Sequence, residues 1–307
     1  MKRRELIKNG LGAAAAFSLA RPAGIASSPR SEATAVGEKF KLKYAPAIGL
    51  FKGHAGEDPI AQIRFAAGEG FTAMFDNGLM NRPPAQQDSI VREIDRQGMG
   101  LGPFVLYADF DKRSFVTRDK EVRGMLLQKM KEGVETMKRT NVRWALVVLG
   151  RWEERLDWDY QTANVIDNLK FCMDVCAPAG LILVLEPLNP KDHPGLFLTR
   201  ISQAYQIVRA VNSPSCKILD DIYHQQITEG NLIPNIDAAW EEIAAYHLGD
   251  NPGRNEPTTG EINYKNIFKH LNEKGYRGVL CMEHGMSRPG KEGERAVIDA
   301  YRVCDGF

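Results

Sequence analysis

Residues 181–221 read LILVLEPLNPKDHPGLFLTRISQAYQIVRAVNSPSCKILDD and contain one strand-helix-strand unit. An apolar run ends in Glu186, an amphipathic run follows at 200–211, and a second apolar run ends in Asp221. Apolar runs this short and continuous are typical of strands buried on both faces in a parallel sheet. The stretch therefore predicts a βαβ unit with a carboxylate at the end of each strand.

The same alternation extends in both directions along the chain. A helical pattern follows each apolar run, and several of these patterns end at glycine, which is a typical helix stop. Eight such units between residues 39 and 307 predict a single-domain α/β protein, the (β/α)₈ TIM barrel. No glycine-rich nucleotide-binding motif follows the first strand. The predicted strands are 42–50, 72–76, 101–107, 144–149, 181–186, 217–221, 244–248 and 278–283.

Composition excludes some classes of partner. The chain has 307 residues, of which 43% are hydrophobic and 26% charged, so it can bury a large core. Its formal net charge of +1 gives no global attraction to nucleic acid or to an anionic membrane. The five cysteines are an odd number and lie mainly in apolar runs, which indicates core packing rather than a disulfide framework.

Residues 1–38 differ from the rest of the chain. They read as an export signal and a linker, because Arg3 and Arg4 precede a short apolar run that is followed by small residues. The RRELIK order resembles a twin-arginine signal and predicts a periplasmic protein, with no stable membrane insertion after cleavage. An amphipathic N-terminal helix is the alternative.

Four potential metal ligands stand at the ends of successive predicted strands. Glu186, Asp221, His247 and Glu283 are separated by 35, 26 and 36 residues, each about one βα unit. In a TIM barrel these strand ends meet at one rim. Three carboxylates and one imidazole suit one divalent ion, Mn²⁺, Mg²⁺ or Co²⁺ and less exclusively Zn²⁺. Taken singly, each carboxylate could equally be a helix cap or the partner of a nearby lysine.

Three segments in the second half of the chain resemble the hydroxypyruvate isomerase branch of the xylose isomerase-like barrels. They read LEPLNPKDHPGLFL, DDIYHQQITEGNL and DNPGRNEPTTGEINY. The resemblance implies that the four donors hold one metal ion and that His224 and Arg254 contact the substrate. In the hydroxypyruvate branch the position of His247 usually holds Gln, whereas the epimerase branches have His there.

The resemblance implies a metal-dependent isomerase of the hydroxypyruvate/tartronate semialdehyde type. Glu186 and Glu283 would act as an acid/base pair on an enediolate. Returning the proton to the neighbouring carbon isomerises the substrate, whereas returning it to the opposite face of the same carbon epimerises it. A ketose 3-epimerase or related sugar isomerase, and a non-catalytic exported sugar-binding barrel, remain alternatives. Six histidines and the low net charge argue against an endonuclease with three zinc ions.

Other residues complete the predicted site. Phe51 and Tyr107 follow the first and third strands and are expected to form an apolar wall beside the substrate, although core packing is an alternative for both. Asp76 is either a ligand for a sugar hydroxyl or a cap, and Arg254 is either a substrate ligand or a loop residue paired with Glu256 or Glu261. The expected partner is a small hydroxy-carbonyl or sugar molecule, not nucleic acid. The loop 152–159, with two tryptophans, is a candidate lid or oligomer contact, which leaves a homo-oligomer open.

Overall fold

The computed structural model describes residues 37–307, and the predicted export segment lies almost entirely outside the described residues. Parallel strands form a curled sheet with the order β1-β9-β8-β7-β6-β5-β4, beside a pair formed by β2 and β3. These features, with helices between the strands, confirm the predicted α/β barrel. The strands are β1 Lys43–Pro46, β2 Ala73–Met74, β3 Gly100–Leu101, β4 Phe104–Tyr107, β5 Trp144–Val147, β6 Ile182–Leu185, β7 Cys216–Asp221, β8 Ile243–His247 and β9 Val279–Met282.

The third predicted strand is present as two segments, β3 and β4. Gly102 and Pro103 separate them, and proline lacks the N–H group that a strand ladder needs. A Cβ atom at Gly102 would lie 2.9 Å from both Cys281 Sγ and Phe75 Cβ, so only glycine fits there without displacing its neighbours. A parallel bridge between Ala47 and Phe75 joins the end of β1 to that of β2. The nine segments thus occupy eight strand positions around the barrel.

Helices follow the strands, and most of them match the predicted amphipathic runs. Aspartates cap the N-termini of several of these helices, as at Asp119, whose side chain accepts hydrogen bonds from two backbone N–H groups. Two short 3₁₀ helices lie at Leu79–Asn81 and Trp240–Glu242. The α-helices are α1 Lys52–Ala55, α2 Pro59–Gly68, α3 Pro84–Arg96, α4 Lys120–Thr140, α5 Trp158–Ala179, α6 Ile201–Val211, α7 Ile222–Thr228, α8 Leu232–Ala239, α9 Tyr264–Glu273 and α10 Gly290–Asp305.

Alternate strand residues build different parts of the core. Leu146, Val184, Leu219 and Ala245, from four neighbouring strands, form one compact apolar cluster. The residues between them in sequence pack in the larger cluster that includes the helices. This two-sided burial explains why the strands read as continuous apolar runs.

The cysteines are all buried and free, which confirms their interpretation as core residues. Among residues 37–307, we find no helix with the length and apolar character needed to cross a membrane.

Candidate metal and substrate site

The structure brings together the four predicted donors. One potential ligand atom from each of Glu186, Asp221, His247 and Glu283 lies within 4.8 Å of the others. The Nδ1 atom of His247 is 3.1 Å from Glu186 Oε1 and 3.0 Å from Glu283 Oε2. Three of the donors are buried and Glu283 is partly exposed, so the group sits at the inner end of an accessible site.

Asp221 uses its two carboxylate oxygens differently. Its Oδ1 accepts hydrogen bonds from the backbone N–H groups of Tyr223 at 2.8 Å and His224 at 3.2 Å, and so caps α7. Its Oδ2 faces the donor group and accepts from Arg254 Nη2 at 2.9 Å. The cap and the ligand interpretations of this residue are therefore compatible, since each needs a different oxygen.

Arg254 reaches the same group from the loop after β8. Its Nη2 also donates to Glu283 Oε2 at 2.6 Å, and its guanidinium carbon lies 4.9 Å from the centre of the Tyr223 ring. The alternative pairing with Glu256 or Glu261 is wrong. Glu256 instead accepts from Ser287, and Glu261 accepts from Asn251 and Gln226.

The two glutamates have different electrostatic surroundings. Burial raises the pKa of Glu186 to about 7, and the neighbouring His247 only partly offsets this. Burial acts in the same direction on Glu283, but the charges of His247 and Arg254 and a hydrogen bond from Asn77 lower its pKa to about 2. Glu186 is thus the carboxylate that takes up a proton more readily.

The neighbouring carboxylates favour the charged form of His247. Burial acts to lower its pKa, yet Glu283 and Glu186 outweigh burial and raise the pKa well above its usual range. Three converging carboxylates require positive charge, which a histidine proton, Arg254 or a bound cation can supply. The O₃N donor set therefore fits a divalent ion, whose binding would displace the His247 proton.

A cavity of about 500 Å³ opens over the donors, a size suited to a small ligand. Apolar side chains from β4 and β5 cover part of its wall, including Val105 and Leu146. A larger cleft of about 690 Å³ lies beside α4 and α5, and none of the four donors lines it. The polar residues that line the smaller cavity are Asn77, Glu186, His193, His224, Arg254, Glu283 and His284.

Two predicted substrate residues do not reach this cavity. Phe51 is fully buried and packs against Phe65 and Phe71, so it belongs to the core between strands and helices. Tyr107 is also buried and packs edge-on against Phe115. The prediction that Phe51 and Tyr107 form a wall beside the substrate is therefore wrong. Both residues pack in the core, which was the stated alternative.

Asn77 and Asn189 were missed by the sequence interpretation. Asn77 donates through its side chain to Glu283 Oε1, whereas its neighbour Asp76 accepts from Gly78 N in the turn after β2 and pairs with Arg82. Asn189 is fully buried and contacts His224. The signal available for Asn77 was its place one residue beyond the second predicted strand.

The tryptophans of the loop 152–159 pack on each other. Their ring centres are 6.1 Å apart, and Trp158 stacks on Phe197 at 4.8 Å while 42% of its surface stays exposed. Neither ring lines the cavity over the donors. A role as lid or oligomer contact stays a prediction.

The arrangement of eight parallel strand positions, with the donors at their ends, matches a known family. The model of the xylose isomerase-like TIM barrel family matches residues 63–304. The chain belongs to this family. Within residues 37–307, one group of at least three potential metal ligands is present, the four donors described above.

Relatives in the family include isomerases. Hydroxypyruvate isomerase of Escherichia coli K12 is 34% identical over 140 residues, which are 46% of this chain and 54% of that protein. The 2-oxo-tetronate isomerase of Cupriavidus necator is 32% identical over 122 residues, 40% of this chain and 47% of that one. The matched regions thus span about half the length of these curated relatives.

Solved structures show the same fold at lower identity. A family 2 AP endonuclease from Brucella melitensis has a TM-score of 0.70 and 24% identity, and the match covers 82% of this chain and 96% of that one. D-psicose 3-epimerase from Clostridium cellulolyticum H10 has a TM-score of 0.70 and 16% identity, with 86% and 98% covered. At these identities the likeness concerns the fold alone.

Proposed function

We propose that this protein is a divalent-metal-dependent isomerase that moves a proton between neighbouring carbons of a small hydroxy-carbonyl acid, of the hydroxypyruvate or 2-oxo-tetronate type. One observation carries the proposal: three carboxylates and an imidazole converge beneath a cavity into which Arg254 also projects. The names of the isomerase relatives support the same reaction class.

Glu186, Asp221, His247 and Glu283 would hold the ion. Their hard oxygen donors favour Mn²⁺, Mg²⁺ or Co²⁺, and one imidazole also permits Zn²⁺. A divalent ion bound there would supply Lewis acidity, which polarises a carbonyl and makes the adjacent C–H group more acidic.

Glu186 is the candidate base. It lines the cavity, and burial, which raises its pKa, makes it the better proton acceptor of the two glutamates. It would remove the proton from the hydroxyl-bearing carbon and leave the substrate as an enediolate. Glu186, now protonated, would return that proton to the neighbouring carbon, while Glu283, held ionised by Asn77 and Arg254, would accept the substrate's hydroxyl proton and pass it to the former carbonyl oxygen.

Arg254 is the candidate carboxylate-binding residue. Its planar guanidinium carries paired donors that match a carboxylate, and charge-assisted hydrogen bonds of this kind are stronger than neutral ones. Its Nε atom is buried without a hydrogen-bond partner among the described residues, so a donor remains for the substrate. This arrangement favours an acid over a neutral sugar.

A ketose 3-epimerase is the second candidate. His247, at a position where the epimerase branches of the family have histidine, favours it. The two reactions share the first proton transfer and differ in where the proton returns, so the same two glutamates would serve either.

Two measurements test the proposal. Elemental analysis of the purified chain should find about one divalent ion per barrel. The metal-loaded protein, incubated in D₂O with hydroxypyruvate, 2-oxo-tetronate and D-psicose, should introduce deuterium at the exchanged carbon of at least one of them. The double variant Glu186→Gln/Glu283→Gln is the control and should introduce none. Absence of exchange with all three compounds would refute the proposed activity.

A further inference from the structure

Asn189 holds a fixed amide orientation in the loop after β6. Its Oδ1 accepts hydrogen bonds from the backbone N–H groups of Lys191 at 3.0 Å and Asp192 at 2.9 Å. A backbone N–H can only donate, so the atom facing both groups is the amide oxygen and not the nitrogen. The amide nitrogen Nδ2 therefore points the other way, 3.0 Å from Asp192 Oδ2 and 2.6 Å from His224 Nδ1.

His224 Nδ1 consequently faces two donors. The Nδ2 group of Asn189 lies 2.6 Å from His224 Nδ1, and the backbone N–H of Asn189 donates to the same ring nitrogen at 3.3 Å. A ring nitrogen that accepts hydrogen bonds carries no proton. The imidazole is therefore neutral, and its single N–H is at Nε2.

The Nε2 atom of His224 is directed toward the four candidate metal ligands. It lies 3.6 Å from Asp221 Oδ2, which is too long for a hydrogen bond, and it has no hydrogen-bond partner among the described residues. The side chain is only 1% exposed, and it lines the cavity over the metal ligands. A buried donor without a partner costs free energy, unless a ligand accepts from it.

We propose that Asn189 fixes His224, which the family resemblance places against the substrate, as the neutral Nε2–H tautomer, so that His224 would donate through Nε2 to an oxygen of the substrate. Asn189 is then a positioning residue, and His224 is a hydrogen-bond donor to the developing negative charge rather than a base. The donor role rests on the proposed isomerase function, whereas the tautomer follows from the hydrogen bonds alone.

The chain offers a charge-conserving test of the tautomer. The double variant Asn189→Asp/Asp192→Asn exchanges the carboxylate and the amide between the two positions. A carboxylate oxygen of residue 189 then faces His224 Nδ1, and the amide of residue 192 can still hydrogen-bond to residue 189. The full-length chain, ¹⁵N-labelled and loaded with diamagnetic Mg²⁺, is examined by long-range ¹H–¹⁵N NMR of the imidazoles. The spectrum of His224→Gln assigns the His224 signals.

The wild type should show a proton on Nε2 and none on Nδ1. The exchanged pair should move a proton to Nδ1, and the control Asp192→Asn, which keeps the Asn189 amide, should retain the wild-type pattern. A wild-type proton on Nδ1, or an unchanged tautomer in the exchanged pair, would overturn the role of Asn189.

The donor role is tested by two replacements of His224. The amide nitrogen of glutamine reaches the position of Nε2, whereas that of asparagine reaches only the position of Nδ1. The kcat/KM of His224→Gln should be at least about tenfold higher than that of His224→Asn, because a factor of this size corresponds to one hydrogen bond to developing negative charge. Equal losses would overturn the donor role. A wild-type chain inactive on every compound would refute the proposed function and the donor role with it, while the NMR result still decides the tautomer.

Discussion

Arg254 Nη2 donates to Glu283 Oε2 at 2.6 Å, across 29 positions of sequence. The acceptor is one of the two oxygens of a candidate metal ligand, and the same nitrogen also reaches Asp221. Arg254 and a bound ion would therefore compensate the same carboxylates. Ion binding should weaken these contacts of the guanidinium and leave it available for a substrate carboxylate.

The first prediction concerns His247. Replacing it with alanine removes the imidazole ligand, so the metal content should fall from about one ion per barrel to a small fraction of that value. Elemental analysis after dialysis measures this. His270→Ala is the matched control, because His270 pairs with Asp237 on the helical surface and should not affect metal content. Full occupancy in His247→Ala would remove this residue from the site.

The second prediction separates ligand and proton-transfer roles at the glutamates. Glutamine keeps an oxygen that can bind the ion but lacks a basic carboxylate. Glu186→Gln and Glu283→Gln should each lower kcat by about 10² or more, while retaining more metal than the corresponding alanine variants. Steady-state kinetics and elemental analysis on the same preparations test this. Near-normal turnover in either variant would exclude that residue as acid or base.

The third prediction uses Arg254→Ala to distinguish the substrate classes. With an acid such as hydroxypyruvate, loss of the guanidinium should cost about 2–5 kcal/mol of transition-state binding, because a partly desolvated carboxylate loses its partner. With a neutral ketose the cost should be about 0.5–1.5 kcal/mol. The values come from kcat/KM on both compounds. Small and equal losses would contradict a substrate role for Arg254.

The fourth prediction concerns stability at low pH. Hydrogen bonds from Arg96 and Arg64 lower the pKa of Glu93 to about 2 from an ordinary value of 4.5. Because the folded-state pKa is the lower one, the ionised carboxylate stabilises the fold above pH 4.5, and this contribution disappears as the pH falls toward 2. Since both arginines are more than half exposed, Glu93→Gln should reduce the free energy of unfolding at pH 7 by only about 1 kcal/mol.

Urea denaturation from pH 7 to pH 3 measures this difference, which should shrink as the pH decreases. Glu135→Gln is the control, since Glu135 and its partner Lys138 are both exposed and the pair should contribute little. A pH-independent difference for Glu93→Gln would refute the assignment of the low pKa to the ion pairs.

The fifth prediction tests export. We propose that the RRELIK segment directs the folded protein to the periplasm by the twin-arginine route. Arg3→Lys with Arg4→Lys should then retain the precursor in the cytoplasm, which cell fractionation measures. Undiminished export would reject this route.

The sequence was sufficient to predict the strand ends that carry the four donors, because each donor stands at or next to the end of a largely apolar run. It failed at Tyr107 for a local reason. The pairing of β4 with β5 shifts register between Val105 and Tyr107, and a register shift changes which side chains face the barrel interior. Val105 lines the cavity as a result, while Tyr107 packs against Phe115.

The sequence also misplaced Phe51 and did not indicate Asn189, because the surroundings of both residues depend on tertiary structure. Phe51 follows a turn after β1, so the alternation of strand side chains no longer determines its direction. Asn189 lies near Glu186 in sequence, but it contacts His224, 35 positions away. No local pattern indicates such a pairing.

Asp221 caps α7 with one carboxylate oxygen and offers the other to the candidate metal site. These two roles constrain which substitutions can accumulate in related proteins that lose activity. A descendant under no selection for turnover can replace Glu186, His247 or Glu283 without removing the cap of a helix. Replacing Asp221 by a residue that cannot cap α7 would cost about 1 kcal/mol of folding free energy. Inactive descendants should therefore retain Asp, Asn, Ser or Thr at position 221 after the other three donors have diverged.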